Sequence, residues 1–263
     1  MSTAEILVNR DRRGVLTLTL NRPEVNNAYN KAMLDRLDAA LIDAAQDTGV
    51  RAVVVRGAGR HFQAGADLTE MRALSTAGEA DNLAMSAATA GAFRRLNQLL
   101  KPTVALVHGA CFGGGVGIAV SCDIVIASMD AFFSIAEGRW GLAVGPMTPQ
   151  LNAAIGARQA RRYVLSGERF DAKQAHSIGL VHGLCPDGDL DQTAAPIIES
   201  LLQTGPDALA KSKRSILERA GMLIDEEEFQ ALVKAHAAKR QSAEAAEGLA
   251  SFVEKRKPAW YPG

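Results

Sequence analysis

The sequence predicts an α/β fold. Three observations carry that prediction: short strand-like apolar runs alternate with helical stretches, glycine-rich turns join strand to helix, and the last quarter reads as helix alone. Val15–Leu20 (VLTLTL) alternates apolar residues with Thr, the period of a half-buried strand, and the Asn21-Arg22-Pro23 stretch ends it. Across residues 31–48, Leu34, Leu37, Leu41 and Ala44 recur at three and four, which predicts an amphipathic helix with Gly49 as its stop. Residues 52–55, Thr103–Val107 and residues 124–127 read as buried strands, and a helix is expected from Asp67 onward. After about residue 187 no strand pattern returns. Leu190–Gln203, 208–220, Glu226–Arg240 and 244–257 all read as helices. The expected organisation is a core over residues 1–200 and a helical region over 201–263. Phe229, Leu232, Val233 and His236 form an apolar stripe there, for which a partner subunit is the expected cover.

Composition narrows the function classes. The chain has 263 residues, 48% hydrophobic and 22% charged, enough apolar surface to close a core and too much for disorder. Its 29 Lys plus Arg balance 29 Asp plus Glu, so no bulk positive field draws nucleic acid or anionic lipid. Cys111, Cys122 and Cys185 are an odd, scattered set without metal-ligand spacing, read as free thiols in a reducing compartment. The opening residues carry charges soon after a short apolar run at 6–8, which fits neither signal peptide nor membrane anchor, and a cytoplasmic protein is expected. Dinucleotide, phosphate-loop, zincin and esterase-elbow motifs are missing, so no metal and no separate cofactor are expected.

Two segments carry chemistry. Gly57 to Leu68 (GAGRHFQAGADL) follows a strand, turns on small residues and enters a helix. His108 to Gly117 (HGACFGGGVG) does the same with three consecutive glycines. A helix N-terminus presents free N–H donors and a partial positive charge. Two such donors on separate loops have the chemistry to hold a carbonyl oxygen that turns negative during reaction, an oxyanion hole.

The series AGADL, then GGGVG leading into CDIVIAS, then Glu137, resembles the crotonase superfamily of enoyl-CoA hydratases and isomerases. NRPEVNNAYN near the start and SFVEKRKPAW near the end extend the resemblance over about residues 5–260. It implies a crotonase-like spiral of ββα units with a C-terminal helical trimerisation region, an acyl-CoA thioester as partner, and assembly as a homotrimer or a dimer of trimers. Coenzyme A then counts as part of the substrate.

Residue by residue, the resemblance implies that the peptide N–H groups of Ala66 and Gly114 hold the thioester oxygen and that Glu137 is the acid/base. A family hydratase carries a second glutamate where this chain has Gly117, which leaves hydration and double-bond isomerisation both open. A non-catalytic acyl-CoA- or RNA-binding member is a third reading, opposed by the neutral charge. Asn27, Ala28, Ala64, Asp67 and Leu68 are expected along coenzyme A, with Phe252 and Lys255 approaching its nucleotide. Asp67 has a competing reading as a helix cap, because Glu70 follows three residues later, and Lys255 has one as a solvated charge. The stretch from Gly141 through Gly145 to Gln150 departs from the family's usual turn, so a reshaped acyl pocket is expected there. With the residues that follow, it looks closer to bacterial hydratases of 3-methylglutaconyl-CoA and isohexenylglutaconyl-CoA. Arg139 is the expected partner for the second carboxylate of such an acyl group, with exposed surface arginine as the alternative.

Overall fold

In the computed structural model, which describes residues 4–185 and 189–262, the apolar runs pair into a six-stranded sheet. Its order is β1 (Ile6–Arg10), β2 (Val15–Leu20), β3 (Ala52–Gly57), β4 (Thr103–Val107), β6 (Ile124–Ser128) and β9 (Gly183–Cys185). Only β1 runs antiparallel to its neighbour. A smaller sheet joins β5 (Ala110–Phe112), β7 (Phe132–Ser134) and β8 (Arg169–Asp171). Successive strands alternate between the two sheets before a helix follows: β4 and β5 precede α4 (Gly114–Val120), and β6 and β7 precede α5 (Thr148–Ser166). That alternation is the expected repeat of ββα units.

The central strands are buried on both faces, as a parallel sheet covered by helices requires. α1 (Lys31–Gln46) contributes Leu34, Leu37 and Leu41, all fully buried, and Asn30 caps its start by accepting from the Met33 amide at 2.9 Å. The helix stops at Gln46 with Asp47 as its cap, so Gly49 is not the stop that the sequence predicts. The unpredicted β1 is an edge strand with four of five residues exposed, a pattern that carries little apolar signal. α2 (Leu68–Ser75) and the long α3 (Glu79–Gln98) occupy the stretch after Asp67.

The C-terminal region is all helix: α7 (Leu190–Gln203), α8 (Pro206–Arg219), α9 (Glu226–Arg240) and α10 (Ala243–Val253). A boundary at residue 200 cuts through α7, which packs Leu190, Ala194 and Ile198 on the sheet. The apolar stripe on α9 is already covered. Phe229 and Val233 are buried with Ala90 of α3, and Leu83, Ala87 and Leu232 pack around them. The stripe therefore packs mainly on α3 of the same chain, where the sequence predicts a partner subunit as its cover. α6 (Ala172–Ser177) completes the helices. Cys111, Cys122 and Cys185 are buried and form no disulfide among the described residues, and no helix among the described residues is long and apolar enough to cross a membrane.

Asn27 knits the loops that lead into the site. It is fully buried and adopts a left-handed φ of 57°, which Asn tolerates better than most residues. Its Nδ2 donates to the carbonyls of Ala58, His61 and Phe62, and its Oδ1 accepts from the Arg22 amide. Asn27→Ala orphans these buried groups, and unfolding in urea is expected to show a loss of about 2 kcal/mol or more. An unchanged midpoint and slope would contradict this bracing role.

Candidate active site

The turns after β3 and β5 face one cavity of about 320 Å³. Ala64, Gly65, Ala66 and Leu68 come from the first turn and Gly113 and Gly114 from the second. Glu137 and Trp140 come from the turn after β7, while His236, Arg240 and Phe252 come from the C-terminal helices.

The two turns approach one another closely. Gly65 has φ of 94°, and a Cβ placed on it would stand 3.3 Å from the Phe112 carbonyl oxygen. Gly113 has φ of 50°, and its Cβ would meet Glu137 Oε1 at 2.8 Å. Ala66 forms a bridge to Tyr29, with Tyr29 donating to the Gly65 carbonyl and Asp67 donating to the Tyr29 carbonyl. Gly114 is the first residue of α4 and lies under the Tyr29 ring, where a Cβ would sit 2.3 Å from Tyr29 Cε1. The N–H groups of Ala66 and Gly114 find no acceptor among the described residues, and both residues line the cavity. A helix N-terminus leaves the Gly114 donor free, whereas Ala66 lies just before Asp67, the N-cap of α2.

Glu137 begins a 3-10 turn, Glu137–Trp140. The residue as a whole is half-buried, yet its Oε2 is closed from solvent and has no hydrogen-bond partner. Burial without a partner disfavours the charged form and pushes the carboxyl up to about 7, against a smaller opposing effect from its own N–H. α10 holds this turn from behind. Gly248 packs so closely that a Cβ would meet the Trp140 carbonyl carbon at 2.3 Å, and Phe252 meets the Trp140 ring edge-on at 4.8 Å.

Gly117 stands where a second carboxylate would be sought. A Cβ there would lie 2.6 Å from Phe93 Cζ, so the Phe93 ring of α3 fills the space and a longer side chain has no room.

Of the other expected residues, Ala64, Leu68, Arg139 and Phe252 line the cavity, and Asn27, Ala28, Asp67, Gly145 and Lys255 do not. Asn27 is spent on loop carbonyls, and the Ala28 carbonyl accepts from Arg22 Nη1 at 2.6 Å. Asp67 caps α2 by accepting from the Thr69 and Glu70 amides and pairs with Arg22 at 3.1 Å, so its capping reading holds. Gly145 opens a separate 3-10 turn, whose neighbours Val144 and Pro146 face the cavity instead. Lys255 is exposed beyond α10. Arg139 is exposed at the cavity edge.

Sequence reasoning missed Tyr29, His236 and Arg240 as cavity residues. Burial raises the Tyr29 phenol and keeps it protonated. His236 is held down to about 3 by burial and the neighbouring Arg240, so its ring is neutral. Among the described residues no cluster of His, Cys, Asp and Glu has metal-binding geometry.

A two-sheet spiral of ββα units whose two free backbone donors and one glutamate line a single cavity defines the class as crotonase-like. The enoyl-CoA hydratase/isomerase family model matches residues 10–262. The chain is 32% identical to the 2,3-dehydroadipyl-CoA hydratase of Escherichia coli K12, across 97% of this chain and 98% of that protein. It is 33% identical to the short-chain-enoyl-CoA hydratase of Clostridium acetobutylicum, across 92% of each. The crystal structure of an enoyl-CoA hydratase from Mycobacterium avium superposes with a TM-score of 0.86 at 30% identity, covering 98% of this chain and 100% of that one. The chain belongs to the enoyl-CoA hydratase/isomerase family of enzymes.

The raised Glu137 carboxyl has a consequence for stability. The folded state binds this proton more tightly than the unfolded chain, so stability falls as pH rises from about 4.5 through about 7 and then levels off. Glu137→Gln removes the titration. The melting temperature of the variant relative to wild type is expected to climb between pH 5 and pH 8, and a pH-independent difference would contradict the buried, unpaired carboxyl.

Proposed function

We propose that this enzyme adds water across the double bond of a 2-enoyl-CoA. The observation that carries the reading is that Glu137, unpartnered and poised near neutral pH, shares a cavity with the two free N–H groups of Ala66 and Gly114. In the carboxylate form Glu137 takes a proton from water as the water oxygen bonds to the β-carbon. The π electrons move to the thioester oxygen, which the Ala66 and Gly114 amides stabilise as an oxyanion. Glu137 then returns the proton to the α-carbon, the thioester carbonyl re-forms, and one molecule of water has been added. A lost oxyanion donor costs about 2.7 to 4 kcal/mol of barrier. Ala64 and Leu68 are proposed to flank the pantetheine, and Phe252 and Lys255 to approach the nucleotide of coenzyme A.

The blocked position at Gly117 favours a second reading, double-bond isomerisation, in which the same carboxyl moves one proton between carbons. Product mass separates the two: hydration adds a water and isomerisation does not. For the acyl group, the resemblance favours a branched glutaconyl type such as 3-methylglutaconyl- or isohexenylglutaconyl-CoA. Trp140, Leu142, Val144 and Met147 supply apolar lining for a branch.

With Glu137 as base, kcat/KM is expected to rise tenfold per pH unit up to a midpoint near 7 and then level. Glu137→Gln is expected to lose about 100-fold or more while still binding acyl-CoA. A variant with near-normal turnover would move the chemistry elsewhere. Assembly as a homotrimer or a dimer of trimers is also proposed, supported by the exposed apolar side chains Ile216, Val253, Trp260 and Tyr261. Sedimentation at micromolar concentration is expected to give a multiple of three, and a monodisperse monomer would contradict it.

A further inference from the structure

The cavity holds a charge that hydration does not use. Arg240, the last residue of α9, is 1% exposed, yet its side chain lines the cavity. Its Nη1 donates to the Asn82 carbonyl and to Asn82 Oδ1 at 3.2 and 3.3 Å, and its Nη2 donates to Ser86 Oγ at 3.2 Å and His236 Nδ1 at 3.3 Å. Every one of these acceptors is neutral, and every distance is at the long end of a hydrogen bond. The Nε has no partner at all.

No carboxylate among the described residues pairs with this guanidinium. Glu70 acts on it only electrostatically, since the Glu70 oxygens accept from the Lys31 amide at 3.1 and 3.3 Å. Tyr29 also faces it and is protonated. A buried cation surrounded by neutral acceptors is costly unless an anion completes it. The geometry of the cavity offers the place for that anion. Tyr29 packs on Gly114, and Tyr29, Glu137 and Arg240 line the same cavity. His236 lines the same end. Its Nδ1 accepts from Arg240, which assigns the ring hydrogen of the neutral form to Nε2 as a further donor.

We propose that Arg240, supported by His236, binds a carboxylate on the acyl chain, making this an enzyme for enoyl-CoA thioesters whose acyl group carries a second acid. The proposal rests on the acyl-CoA reading for the thioester end alone. It gives the specificity role to Arg240 rather than to Arg139, whose exposed charge remains solvated at the cavity edge. A guanidinium whose Nε–H lacks a partner has one charge-assisted hydrogen bond to give a carboxylate, and its desolvation makes the pairing selective.

Glutaconyl-CoA and crotonyl-CoA differ only by a carboxylate in place of a hydrogen and are the substrates for the test. Wild type is expected to favour glutaconyl-CoA by about 100-fold in kcat/KM. Arg240→Met is expected to erase that preference, with a loss on glutaconyl-CoA that far exceeds any loss on crotonyl-CoA, and Arg139→Ala is expected to keep the preference. Calorimetry on wild type with the unreactive glutaryl-CoA and butyryl-CoA stands independently of whether the variant folds, and the dicarboxylic thioester is expected to bind at least about 50-fold tighter. Equal affinity for the two would overturn the proposal, as would an equal loss on both substrates in a folded Arg240→Met variant. Binding preference without any hydration would leave the Arg240 assignment intact and overturn the proposed reaction instead.

Discussion

The site depends on backbone approaching backbone where a side chain would ordinarily stand. Gly65, Gly113 and Gly114 bring the turns after β3 and β5 together, and Gly113 lets the Glu137 carboxyl rest on its Cα. Gly248 of α10 closes on the Trp140 carbonyl from the other side. Any Cβ at these contacts would force the turns apart, admit water to Glu137 and misaim the amides of Ala66 and Gly114. The fold uses the central parallel sheet as a rigid base from which these turns are projected, and the C-terminal helices as the lid that keeps the Glu137 turn pressed inward.

Electrostatics follow from that packing. The cavity contains an acid raised by burial and a guanidinium held by neutral groups alone, and neither is neutralised by the other in an ion pair. Each is costly in isolation. In the proposed reading they form two chemical ends of one cavity, a proton-transfer end beside the free amides and an anion-binding end beside α3 and α9. The ring of Phe93 against Gly117 explains why the proton chemistry must work with one carboxyl.

Much of this was legible in the sequence where a local pattern carries the physics. Alternation placed β2, apolar runs placed β4, and glycines next to predicted strand ends placed the two turns, while Glu137 was singled out only through the family resemblance. The stripe on α9 was visible too, but periodicity shows which face is buried and not what buries it. It faces α3 of the same chain, and its C-terminal end delivers His236 and Arg240 to the cavity. Those residues lie about a hundred positions or more from the turns they face, so no local spacing could join them. Asn27 and Asp67 sit within motifs that resemble coenzyme A contacts, and their side chains hydrogen-bond to loop carbonyls and to helix amides. β1 and the three-residue strands β5, β7 and β8 are too short or too exposed to leave a hydrophobic period.

The central claim is that packing leaves Glu137 buried and uncompensated. Infrared titration of wild type minus Glu137→Gln isolates the carboxyl stretch of this one residue. A protonated band that disappears with a midpoint near pH 7 is the predicted result, and a midpoint near the ordinary glutamate value of about 4.3 would contradict the account.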